Sequence, residues 1–121
     1  MGNIILIGMP GAGKSTVGVI LAKVLGYKFI DSDLLIQRQE KSLLKDIIKE
    51  KGLEAFIEIE NRINSEITAE QTVIATGGSA VYGKEAMAHL SNIGTIVYIK
   101  LSMEILKDRL GNMKQRGVAL K

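Results

Sequence analysis

Eight consecutive residues, Gly8-Met9-Pro10-Gly11-Ala12-Gly13-Lys14-Ser15, fill every position of the pattern G-x-x-x-x-G-K-[ST]. Glycines at these places let the backbone bend so that successive N–H groups, those of Gly11, Ala12 and Gly13, converge on phosphate oxygens. Gly13 also opens a helix, whose partial positive end faces the same anion. Lys14 brings a mobile positive charge to β and γ phosphates, Ser15 a hydroxyl for Mg²⁺, and Thr16 a second hydroxyl within reach of the α phosphate. The alternative is a glycine-rich turn that binds nothing. At average residue frequencies the pattern arises by chance in roughly one chain of this size in several hundred. Its place between an apolar run and an amphipathic stretch argues further against chance.

Two other stretches carry chemistry. Asp31-Ser32-Asp33 offers carboxylates at i and i+2. One of the two can hold Mg²⁺ through water and the other an acceptor hydroxyl, because kinase chemistry needs a carboxylate near the metal. The plainer reading is that Asp31 caps a helix and Asp33 is a first-turn charge. Gly77-Gly78-Ser79 then forms a turn in which an acceptor can approach backbone N–H groups without side-chain obstruction, or simply joins a strand to a helix.

The elements that must position these groups alternate. Residues 3–7 form a continuous apolar run, as a strand buried on both faces does. Residues 14–25 follow as a helix with Val17, Ile20, Leu21, Val24 and Leu25 on one face, ended by Gly26. A second strand is expected at 27–30 and helices at 31–40, with Leu34, Leu35 and Arg38 in its pattern, and after a Ser42 cap. A helix at 53–69 carries Phe56, Ile59, Ile63 and Ile67 on one face. Strands at 72–76 and 95–101 flank a short helix at 84–90, and Ser102 caps a last helix. Strand–helix alternation predicts parallel pairing through right-handed crossovers, hence a three-layer α/β fold.

The chain of 121 residues suits one domain, residues 1–121. It has no cysteine, which excludes disulfides and thiolate metal sites. The apolar N-terminus stops at Gly8, too soon for a signal peptide or membrane span, so a cytoplasmic protein without a membrane partner is expected. Net charge is +3, with basic residues dispersed and no tryptophan, which disfavours a nucleic-acid partner. A small-molecule acceptor and a monomer are expected. After Gly111 the pattern dissolves, and a four-stranded parallel sheet ending at Lys121 leaves an uncovered edge, so the chain is expected to be C-terminally incomplete.

Together, G-M-P-G-A-G-K-S-T-V-G, L-A-K-V-L-G-Y-K-F-I-D-S-D, V-I-A-T-G-G-S and V-Y-I-K-L-S-M-E-I-L-K-D-R-L resemble the shikimate kinases, in order and over essentially the whole chain. The resemblance implies a P-loop NTPase fold with a parallel sheet of order 2-3-1-4-5, the fifth strand missing here. It implies transfer of the γ-phosphate of ATP, with Mg²⁺, to the 3-hydroxyl of shikimate, a step toward chorismate and the aromatic amino acids. In that setting Lys14 and Ser15 hold phosphates and metal, Asp31 helps place the metal, and Asp33 holds the hydroxyl and takes its proton. Gly77, Gly78 and Ser79 line the acceptor site, Arg109 lies against adenine, and Arg116 is the lid arginine near the transferring phosphate.

Three positions depart from the family pattern. G-E-x-x-F-R reads Gly52-Leu53-Glu54-Ala55-Phe56-Ile57, so Ile57 stands where the family grips the acceptor carboxylate with arginine and Leu53 replaces the glutamate. An isoleucine cannot make a bidentate carboxylate contact. Ser79 replaces a third glycine, and the lid's Arg-Pro pair is Arg116-Gly117. Arg62 is expected to pair with Glu58 or Glu66 on the helix surface, and His89 to be a surface residue. A kinase of another polyol or hydroxy acid, a nucleotide-binding module without transfer activity and a nucleoside monophosphate kinase are the alternatives.

Overall fold

The computed structural model describes residues 2–8 and 13–99. Their elements alternate as expected: β1 (Asn3–Gly8), α1 (Lys14–Leu25), β2 (Lys28–Asp31), α2 (Ser32–Glu40), α3 (Leu44–Lys51), α4 (Leu53–Ser65), β3 (Thr72–Ala75), a 3₁₀ turn at Ala80–Tyr82, α5 (Lys84–Ile93) and β4 (Gly94–Ile99). The helix expected after Ser102 lies outside the described residues.

The strands form one parallel sheet in the order β2-β3-β1-β4, the order anticipated from the sequence. β1 is central, with Ile4 opposite Val73 on one side and Thr95 on the other. Side chains of a strand alternate between faces, so odd and even positions of β1 serve different layers. Ile5, Ile7 and Ile74 meet Leu90 of α5 and Ile67 of the segment after α4 on one face. Leu6 and Val73 meet Ala22, with Val17, Leu21 and Phe29 packed alongside, on the face covered by α1. This produces three layers. A further apolar cluster of Ile36, Ile47, Phe56 and Ile63 joins α2, α3 and α4.

The apolar stripe expected on α1 is met at Val17 and Leu21, which pack on the sheet, but not at its C-terminal end. Lys14, Gly18 and Ala22 are its buried positions, whereas Val24 is 76% and Leu25 45% exposed. Small residues bring α1 close to the sheet: a Cβ on Gly18 would lie 2.6 Å from Cε1 of Phe29. On α2, Leu34 faces solvent and Ile36 takes the core position instead. Ser42 does not cap α3, whose first residue Leu44 donates its N–H to Oε1 of Gln37 at 3.0 Å. α4 ends at Ser65 rather than at 69, and α5 runs on to Ile93 rather than 90.

The N-terminal end of the sheet is tied by one side chain. Asn3, buried, donates to the carbonyls of Ala69 (2.8 Å) and Ile93 (2.9 Å) and accepts from the N–H of Thr72 (3.0 Å). Near the opposite end, Thr76 donates both its N–H (3.1 Å) and its hydroxyl (2.9 Å) to the carbonyl of Leu6. Among the described residues no helix is long and apolar enough to cross a membrane.

Candidate active site

β1, β2 and β3 run parallel and end at Gly8, Asp31 and Ala75, so the three motifs that follow them meet at the carboxyl edge of the sheet. Ligands bind at this edge in open α/β sheets. Gly13 caps α1 with φ 84° and ψ 25°, a left-handed conformation that glycine adopts without Cβ strain. Lys14, in the first turn, folds back so that Nζ donates to the carbonyl of Gly8 at 2.6 Å. Burial lowers the pKa of the Lys14 amine, and the negative charges of Asp33 and Glu60 pull it back up.

Ser15 and Thr16 are exposed on the same turn. The Ser15 hydroxyl donates to Oδ2 of Asp31 at 3.0 Å. The other oxygen of Asp31 accepts from the N–H groups of Asp33 (3.0 Å) and Leu34 (3.3 Å), capping α2. Asp31 therefore caps α2 with one oxygen and turns the other toward Ser15. A hydroxyl beside a carboxylate is a hard oxygen pair suited to Mg²⁺, which takes one or two carboxylates and fills its remaining positions with water and phosphate. Among the described residues no three acidic, histidine or cysteine side chains gather into a fuller cage.

Gly77 is the floor between two acids. A Cβ there would lie 2.5 Å from Oδ1 of Asp33 and 2.7 Å from Oε2 of Glu60, closer than any side chain tolerates. Both acids have raised pKa values, primarily from burial. Asp33 is raised further by Asp31, and Glu60 by Asp33, while Lys14 opposes both shifts. Glu60 is 1% exposed; its Oε1 accepts from the Ser79 hydroxyl at 2.6 Å, and its Oε2 has no hydrogen-bond partner among the described residues. Gly78 and Ser79 are half-buried beside it.

The structure thus brings together Lys14, Ser15, Asp31, Asp33, Gly77 and Ser79. Gly11, Ala12, Arg109 and Arg116 lie outside the described residues. Glu60 was missed in the sequence. Its signal was present: it follows Phe56 by four residues and precedes Ile63 by three, a lone acid on the apolar face of α4. Ile57 is half-buried and packs against the α2–α4 cluster, while Leu53 is 57% exposed. Ile57 also borders a surface recess of about 230 Å³ shared with Asn61, Tyr82 and Lys84. Arg62 does pair on the surface, but with Glu40 of α2 at 3.2 Å rather than with Glu58 or Glu66. His89 is half-buried with Nε2 on the carbonyl of Ile67.

Residues 10–121 match the family model described as shikimate kinase. A shikimate kinase of Rippkaea orientalis is 43% identical over 111 residues, which are 91% of this chain and 59% of that protein. Shikimate kinase 2 of Yersinia pseudotuberculosis is 37% identical over 108 residues, 89% of this chain and 62% of the relative. The chain thus spans roughly three fifths of the length of these relatives. Among solved structures, the shikimate kinase of Acinetobacter baumannii in complex with shikimate superposes with a TM-score of 0.80 at 35% identity, covering 96% of this chain and 65% of that one. The Aquifex aeolicus shikimate kinase gives a TM-score of 0.72 at 35% identity, over 85% of this chain and 62% of the other. With the motifs in order, the sheet in the expected order and the family match running over residues 10–121, the chain belongs to the shikimate kinase family.

Proposed function

We propose that this chain is the P-loop domain, residues 1–121 and C-terminally incomplete, of an ATP-dependent kinase that phosphorylates the 3-hydroxyl of shikimate. The observation that carries the reading is the meeting of Lys14, Asp33 and Glu60 around Gly77, with the Ser15–Asp31 pair on the same sheet edge. ATP bound with Mg²⁺ supplies the transferable phosphoryl group and neutralises its charge. Gly11, Ala12 and Gly13 offer backbone N–H groups to the phosphates, Lys14 leaves the Gly8 carbonyl to bind the β and γ groups, and Thr16 supports the α phosphate. Ser15 and Asp31 would hold the metal. Asp33 accepts the acceptor's hydroxyl proton as the new O–P bond forms, while the bond from the γ phosphorus to its bridging oxygen breaks and ADP keeps the electron pair. The raised proton affinity of Asp33 suits that role. Gly77, Gly78 and Ser79 line the acceptor side. Arg109 against adenine and Arg116 over the transferring phosphate follow from the family resemblance. The protein acts as a cytoplasmic monomer on a small molecule, with no nucleic-acid or membrane partner.

The test is ADP release with MgATP, with and without shikimate, in this chain and in Lys14→Ala. Release that needs both shikimate and Lys14 supports the reading; shikimate-independent release, or release unaffected by Lys14→Ala, sinks it. One observation favours a second acceptor class. Ile57 is drawn into the α2–α4 cluster and offers no charge to a carboxylate, so an uncarboxylated cyclic polyol fits that place as well. Inositol run beside shikimate in the same assay separates the two.

A further inference from the structure

Glu60 presents an arrangement that the family pattern does not account for. Its carboxyl is almost wholly buried, yet position 57, one helical turn earlier and on the same flank of α4, carries isoleucine. A cation there would be the natural neighbour of Glu60, since residues three apart on a helix face one another. The hydrogen bond to Oε1 comes instead from across the site, from Ser79, at 2.6 Å. Ser79 stands where the family pattern has glycine, which has no side chain to donate. Its backbone is fixed by the turn that follows: the Tyr82 N–H donates to the Ser79 carbonyl at 3.1 Å, and the Ala80 N–H to that of Gly77 at 3.2 Å. The donor is therefore held in place, and Oε2 is left against the Gly77 floor beside Oδ1 of Asp33.

We propose that Ser79 is a positioning residue for the acceptor: by holding Oε1 of Glu60 it keeps Oε2 turned to Gly77, where Glu60 and Asp33 together receive neighbouring hydroxyl groups. The departures at 57 and 79 are then one coupled change, a hydroxyl doing from the turn what a charge does from the helix. This inference rests on the acceptor site proposed above. Asp33 binds the reacting hydroxyl in either case; the new element is a second hydroxyl contact that depends on Ser79.

The test is calorimetric titration of the full chain with shikimate in the presence of MgADP, for the wild type, Ser79→Ala, Ser79→Gly, Ser79→Thr, Glu60→Gln and Ser79→Ala with Glu60→Gln. Residue 79 has φ −99° and ψ 7°, which alanine adopts without strain, so the truncations are expected to fold. Loss of a hydrogen bond to a charged group predicts shikimate binding roughly ten- to a hundredfold weaker in Ser79→Ala and Ser79→Gly. Ser79→Thr retains affinity, MgADP affinity is unchanged throughout, and Ser79→Ala adds nothing once Glu60 is glutamine. Wild-type affinity in Ser79→Gly, or full additivity with Glu60→Gln, overturns the proposal. If the wild type itself does not bind shikimate, the acceptor reading falls. The Ser79 contact is then judged by the ¹³C resonance of the Glu60 carboxyl. Its titration midpoint must rise in Ser79→Ala and hold in Ser79→Thr, and an unmoved midpoint in Ser79→Ala overturns the positioning role.

Discussion

Replacing Gly77 by alanine is the most direct probe of the site, because the added carbon must displace the carboxylates of Asp33 and Glu60. Its contacts would fall at 2.5 Å from Asp33 and 2.7 Å from Glu60, about 0.9 and 0.7 Å inside the 3.4 Å at which ordinary contact begins. Glu60 yields less freely than Asp33, whose backbone rather than carboxylate is fixed by the cap. Asp33 sits in the first turn of a helix already capped by Asp31, and Glu60 is buried and held by Ser79. Overpacking of a closed site costs about 1–3 kcal/mol. For a domain of this size each kcal/mol lowers the melting temperature by roughly 4 °C, so Gly77→Ala is expected to melt about 4–12 °C earlier. The functional loss is expected to be larger, because displacing catalytic groups by about 1 Å costs on the order of a hundredfold in rate. Differential scanning fluorimetry reads the first effect and shikimate-dependent ADP release the second, with MgADP affinity as the control that the phosphate loop is intact. A variant that melts with the wild type and turns over within threefold of it would refute the reasoning, since Asp33 and Glu60 could not then be packed against position 77.

Ser15→Ala is expected to weaken ATP binding severalfold in Mg²⁺ and to leave binding in EDTA unchanged; an equal loss in both would remove Ser15 from the metal site. The raised pKa of Glu60 means that the folded state binds its proton more tightly than the unfolded chain, whose value is 4.5. This contribution therefore favours folding at low pH and is lost as pH rises from 4.5 through the folded value. Glu60→Gln should raise the melting temperature at pH 7 and flatten its fall with pH above 4.5, and an unchanged pH profile of melting would contradict the burial argument. Asn3→Ala leaves two carbonyls and one N–H without their partner and is expected to cost about 3 kcal/mol in urea unfolding, with nucleotide affinity spared.

The strands and their parallel pairing were readable because each is a short apolar run alternating with a helix, while their order followed from the family resemblance. The residues at the carboxyl edge were readable where a motif fixes them: Lys14, Ser15, Asp31 and Asp33 come together there. The buried face of α1 was readable only in part, because counting large apolar residues favoured Val24 and Leu25, while close approach to Phe29 favours the face carrying Gly18 and Ala22. Periodicity weighs side-chain size, and tight packing against a sheet reverses that weight. Glu60 was passed over for a related reason. A search for apolar spacing skips the single charged position, although a buried acid within such a stripe carries more information than the apolar residues around it. The partner of Arg62 depended on the packing of α2 against α4, which no local spacing encodes.

The central place of β1 bears on how the chain reaches its fold during synthesis. Of the four described strands it is made before the others, yet both of its partners, β3 and β4, come from residues 72–75 and 94–99. While the intervening helices emerge from the ribosome, Ile4, Ile5, Leu6 and Ile7 have no ladder to join, and the loops that must close to supply one are long. Until residues 72–75 have been made, the nascent chain thus displays an apolar strand without a partner, and unpaired strand edges of this kind favour aggregation. Folding waits on the arrival of β3, and Asn3, reaching from the first strand to Ala69, Thr72 and Ile93, can latch only after that arrival.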